Sequence, residues 1–142
     1  MTAYFDSSAL AKLFRSEPGS DVARSAVTAA DLRATSVISY PELCATIAGR
    51  DQRPGAPGLR TAARQLERFW PSLSVLEVNG VTAQRAGELA LRHRLRGMDA
   101  IHLASALDVA GESPGTLSFV SWDREQREAA RKEGLALVPE EL

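Results

Sequence analysis

Short apolar runs alternate with stretches of helical spacing along the whole chain, and few architectures accept that order. Runs at residues 2–5, 33–37, 73–78, 116–121 and 135–138 are strand-like. Helical periodicity fills the intervals: residues 7–15 through Leu10, Leu13 and Phe14, then a helix capped by Ser20 to about residue 30. A third helix opens at Ser39 and covers residues 40–50, with Pro41 tolerated in its first turn. Further helices are expected at 59–70, 82–95, 99–110 and 123–133, and the Pro- and Gly-rich residues 52–58 form a loop. Strands that alternate with helices predict an α/β fold. Its form is a three-layer α/β/α sandwich with a mostly parallel central sheet. No repeat, low-complexity tract or linker interrupts residues 1–142, which read as a single domain.

A chain of 142 residues suffices for one core that buries roughly two thirds of the unfolded surface. The single cysteine, Cys44, cannot form an internal disulfide, which fits a reducing compartment. Asp6, Lys12 and Arg15 interrupt the amino-terminal region before any long apolar run, so no leader is expected. No stretch approaches the ~20 apolar residues of a membrane span. The expectation is a cytoplasmic protein with no membrane partner. Net charge is −1 and names no ligand, but its distribution is uneven. Between Arg50 and Arg96 nine arginines face four acids, whereas the rest of the chain holds eight basic and fourteen acidic residues. Solvated helix faces explain such a bias; so does an arginine surface for nucleic-acid phosphates, with Arg92, Arg94 and Arg96 as its candidates.

Four acids share one kind of position. Asp6 follows the first strand, Glu42 lies in the first turn of the third helix, Asp99 opens the sixth, and Asp123 follows the fourth strand. Each alone fits a helix cap, and Ser39 with Glu42, or Asp123 with Gln126, has the capping-box spacing. Together they point further. Helices of a parallel sheet begin near the carboxyl ends of its strands, where ligands bind. Converging carboxylates repel and require protons or a cation. A hard divalent ion such as Mg²⁺ suits an all-oxygen set, and it can activate water against a phosphodiester.

The same residues carry a resemblance. Tyr4-Phe5-Asp6-Ser7-Ser8-Ala9-Leu10, Thr35-Ser36 followed by Glu42-Leu43, Gly97-Met98-Asp99-Ala100-Ile101-His102-Leu103-Ala104 and Phe119-Val120-Ser121-Trp122-Asp123 resemble, in order and spacing, the four motifs of PIN-domain proteins. The resemblance spans about residues 2–138. It implies a PIN-like fold and a Mg²⁺-dependent endoribonuclease in which Mn²⁺ can substitute. Asp6, Glu42, Asp99 and Asp123 would form the acidic pocket. Asp6 and Asp99 would be direct metal ligands, Glu42 and Asp123 would act through water or as the base side, and Ser8 and Ser121 would orient carboxylates. The Asp-Ser-Ser-Ala-Leu opening and the length are similar to VapC-like toxins, which implies a homodimer, an RNA substrate and a small VapB-like antitoxin.

Other residues are weighed against plainer roles. His102, three residues after Asp99, is assigned to packing or a hydrogen bond rather than to metal. His93 is expected at the surface and Cys44 in the core. Trp122 adjoins Asp123 and is a candidate RNA contact; Trp70 is read as core or dimer surface. A phosphoacceptor domain would need paired acids after strand one and a lysine at a late strand end, and neither Lys12 nor Lys132 meets that. A PIN nuclease of RNA maturation and an inactive PIN-like RNA-binding scaffold stand as alternatives.

Overall fold

The computed structural model describes residues 1–49, 58–112 and 115–142. Five parallel strands form one sheet in the order β3-β2-β1-β4-β5. They are β1 (Thr2–Phe5), β2 (Leu32–Ser36), β3 (Ser74–Leu76), β4 (Leu117–Val120) and β5 (Ala136–Val138). The helices are α1 (Ser7–Ala11), α2 (Ser20–Ala29), α3 (Ser39–Ala48), α4 (Leu59–Phe69), α5 (Gly80–His93), α6 (Gly97–Glu112) and α7 (Arg124–Lys132). The expected three-layer sandwich is present, and the sheet is wholly parallel.

Strand alternation sorts the core into two halves. On one face Tyr4, Ala34 and Phe119 meet α5, α6 and α7 through Leu89, Leu103 and Ala130. On the other, Ala3, Phe5 and Val120 meet α1 to α4 through Leu10, Ala26, Leu43 and Leu66. Successive strand residues point to opposite faces, so β1 is buried on both sides and reads as a continuous apolar run. Strand order reverses direction at β1, between β2 and β4. That switch point opens a crevice at the carboxyl ends, and the register Phe5↔Val120 sets Asp6 beside Ser121 there.

Several local expectations are corrected. The run 7–15 divides into α1 and a 3₁₀ turn, Lys12–Phe14. Gly19, not Ser20, takes the cap position of α2, because its left-handed backbone (φ +92°) turns the chain there. Ser20 instead accepts from the Glu17 amide and donates to the Arg15 carbonyl. The Ser39–Glu42 capping box does not form. Ser39 lies inside α3, bonded to the Thr35 hydroxyl at 2.7 Å, and Glu42 is drawn to partners on other elements. α6 begins at Gly97, which places Asp99 third in the helix rather than at its start. Cys44 is exposed: α3 turns Leu43 and Ile47 inward, and the next position after Leu43 rotates out to solvent. The loop expected at 52–58 lies, except for Gly58, outside the described residues. Among those described, no helix is long and apolar enough to cross a membrane.

Candidate active site

The crevice is built from β1 and β4 outward. Asp6 caps α1, its Oδ1 accepting from the Ala9 amide at 2.9 Å and the Ser8 hydroxyl at 2.7 Å. Its Oδ2 lies 2.7 Å from Ser121 Oγ. The residue is only 3% exposed, and burial raises its carboxyl above the ordinary range. The His102 charge and the Ser121, Ala9 and Ser8 donors oppose that rise without cancelling it. Ser8 and Ser121 thus hold the Asp6 carboxylate in one orientation.

Glu42 reaches across from α3. Its Oε1 accepts from Ser7 Oγ at 2.9 Å and lies 2.8 Å from His102 Nε2. Burial pulls the carboxyl up, but the His102 hydrogen bond and charge, with the Ser7 hydroxyl, outweigh it and leave Glu42 below its usual range. His102 is 2% exposed, and its other ring nitrogen, Nδ1, lies 2.9 Å from the Tyr4 hydroxyl. Burial keeps that phenol protonated, and its hydroxyl shares a hydrogen bond with Nδ1. Nε2 faces the Glu42 carboxylate, which only accepts, and donates to it. A chain of hydrogen bonds from the sheet interior therefore fixes where Glu42 points.

Asp99 and Asp123 close the other side. Asp123 caps α7 through the Gln126 amide at 2.8 Å, as its spacing predicts. The reciprocal half of the box is missing, because the Gln126 side chain is engaged elsewhere: Oε1 lies 3.1 Å from Ser121 Oγ, and Nε2 donates to the Asp99 carbonyl at 3.2 Å. Burial is the first cause that raises the Asp99 carboxyl, followed by the charge of Asp123; Asp6 and Glu42 add to the rise and His102 opposes it. Asp99 therefore lies within the field of the other three acids. Yet among the described residues no three His, Cys, Asp or Glu side chains stand close enough to ligate one ion directly. An oxygen-only set suits a hard cation that keeps several waters, and Asp6 and Asp99 are the two acids whose carboxyls are raised.

Ser7, Tyr4 and Gln126 are site residues that motif reading passed over. Tyr4 carried a signal: a polar-tipped aromatic in a fully buried strand needs a partner. Of the arginines, Arg94 and Arg96 are exposed where α5 passes to α6, five and three residues before Asp99, and Arg94 adopts the left-handed conformation (φ 55°). Arg92 pairs with Glu133 at 2.6 Å. His93 shares that carboxylate, also at 2.6 Å, and its side chain is largely covered, which corrects its expected surface position. Trp70 packs edge-on against Tyr40, ring centroids 5.0 Å apart, at the margin of the second core half.

Residues 3–132 match the PIN domain family. Ribonuclease VapC45 of Mycobacterium tuberculosis (strain CDC 1551 / Oshkosh) is 38% identical over 141 residues, 98% of this chain and 96% of that protein. The crystal structure of FitAcB from Neisseria gonorrhoeae superposes with a TM-score of 0.70 at 16% identity, covering 96% of each chain. A toxin–antitoxin complex from Klebsiella pneumoniae gives a TM-score of 0.65 at 20% identity, covering 86% of this chain and 87% of the other.

Proposed function

The chain belongs to the PIN domain family, and on that premise we propose that it is a Mg²⁺-dependent endoribonuclease, the toxin of a VapBC-type pair restrained by a small VapB-like antitoxin. The observation that carries the reading is the placing of Asp99 within the field of Asp6, Glu42 and Asp123 at the switch point of the sheet. Similarity to a ribonuclease over nearly the full chain supports the substrate class, and the likeness to a toxin–antitoxin complex supports the partner. The resemblance to VapC-like toxins extends the proposal to a homodimer, for which sedimentation velocity gives the check.

Asp6 and Asp99 would hold the cation directly, with Glu42 and Asp123 reached through its waters; when bound, it supplies charge for the phosphodiester and lowers the pKa of a water. Ser8 and Ser121 keep Asp6 from rotating away from this position. Glu42, kept ionised by His102 and Ser7, accepts the proton that the attacking water gives up. Tyr4, behind His102, prevents the imidazole from turning its other nitrogen toward Glu42. Attack by water leaves a 5′-phosphate and a 3′-hydroxyl. Protein stripped with EDTA should stop cutting RNA and recover with Mg²⁺ or Mn²⁺, and mass analysis of the fragments should show those ends. Full activity in EDTA, or 2′,3′-cyclic phosphate ends, would refute the mechanism.

A further inference from the structure

Arg127 is 4% exposed, yet among the described residues its donors meet no carboxylate. An arginine is seldom buried without an ionic partner, and an apolar side chain of similar volume would fill the space with no charge to desolvate. Its partners are three backbone carbonyls instead. Nη1 donates to Ser121 at 2.9 Å, and Nη2 donates to Pro139 at 2.7 Å and to Glu140 at 3.3 Å. The planar fork therefore spans two stretches of chain. One is the connection from β4 to α7, which carries Ser121, Trp122 and Asp123; the other is the segment after β5.

Ser121 is where this span meets the acids. Its amide donates to the Val138 carbonyl at 3.2 Å, and its carbonyl accepts from Arg127. Both backbone groups of Ser121 thus answer to residues 138–140, one directly and one through the guanidinium. Its Oγ lies 2.7 Å from Asp6 Oδ2 and accepts from the Asp123 amide at 3.1 Å. β5 is a three-residue strand at the sheet edge, bonded to β4 alone. So short an edge strand has few contacts to keep it closed and opens readily. Arg127 supplies the bond beyond its end. We propose that Arg127 is a positioning residue for the acidic crevice, a clamp through which residues 139 and 140 hold Ser121, and with it Asp6 and Asp123, in place. Its effect on cation binding rests on the nuclease reading above; the clamp itself does not.

The test uses the full chain labelled with 5-fluorotryptophan, which gives one fluorine-19 resonance for Trp122, inside the clamped connection, and one for Trp70, outside it. Mg²⁺ affinity is measured by calorimetric titration well below the melting temperature. Arg127→Lys keeps the positive charge but loses the fork that reaches both stretches, so a change in cation binding reports position rather than charge. It should move or broaden the Trp122 resonance and leave that of Trp70 in place. It should weaken Mg²⁺ binding by about fivefold, less than the loss expected of a residue that bonds a ligand itself. A chain ending at Val138 should do the same. The two changes together should do little more than either alone, because they break one interaction. If one variant fails to fold, the other decides. A Trp122 resonance at its wild-type position, wild-type Mg²⁺ affinity beside a lowered melting temperature, or additive effects of the two changes would overturn the clamp. Wild-type protein that binds no Mg²⁺ overturns the nuclease reading instead, and the Trp122 resonance then decides the clamp by itself.

Discussion

Asp99 is the residue at which capping and site chemistry come apart. Its carboxyl is raised by burial and by Asp123, so between its ordinary and raised values the native state holds more protons than the unfolded chain. Stability therefore falls as pH rises through that window and stays lower above it. Asp99→Asn should stabilise the cation-free protein at about pH 7.5, by no more than roughly 0.5 kcal/mol, since the side chain is about half exposed and water screens it. The gain should vanish toward about pH 4, and thermal melting at both values checks it. Wild type should also melt higher in Mg²⁺, a gain Asp99→Asn should largely lose. Glu42 has the opposite sign: its lowered carboxyl stabilises the fold above the ordinary range and that contribution disappears as acid protonates it. Tyr4→Phe tests the chain behind it. The ring keeps its stack on Phe119, 5.8 Å away, but Nδ1 of His102 loses its hydrogen-bond partner. Stability should fall by about 1–3 kcal/mol, and cleavage on the order of tenfold. Nitrogen-15 shifts of His102 should move; unchanged shifts would refute the hydrogen bond between Tyr4 and Nδ1.

At the level of elements, short connections hold the crevice open. The turn into α2 depends on Gly19, whose φ of +92° and contact with the Trp122 ring both exclude a side chain. Gly19→Ala should cost about 1–3 kcal/mol and displace the indole, read as a lower melting temperature together with altered tryptophan fluorescence. On the opposite side Gln126 ties α7 to β4 and α6 from within, 1% exposed, so that Asp123 and Asp99 hold a common spacing. The carboxyl terminus is fixed by a second buried side chain, Arg127, which donates to the carbonyls of Ser121 and Pro139.

Across the whole molecule, charge is arranged around this rim. Exposed Arg94 and Arg96 precede the helix that carries Asp99, while Arg92 is shared with Glu133. Replacing Arg92, Arg94 and Arg96 together with Ser should weaken RNA binding and flatten its salt dependence. Most of the change should come from Arg94 and Arg96, because Glu133 already offsets the charge of Arg92; single replacements measured over a salt series separate them. An unchanged slope would assign all three to solvated helix faces.

The order of strands and helices was legible in the sequence because period-2 and period-3.6 patterning is local, and the acids Asp6, Glu42, Asp99 and Asp123 were legible because their motifs are. What Glu42 binds was not. Its spacing from Ser39 fits a capping box as well as a site, and only packing α3 against α1, with His102 reaching it from the opposite layer, brought Ser7 and His102 to it in place of the Ser39 amide. Gln126 likewise had a local explanation that tertiary contacts with Ser121 and Asp99 displaced. His93 and Cys44 exchanged their expected surroundings for the same reason. Burial of a polar or small side chain depends on which helix face a neighbour covers, and that is settled by contacts between residues 30 to 115 positions apart. The sequence determined the sheet, its helices and the four carboxylates; the tertiary structure decided which donors hold each carboxylate, and so how the site is charged.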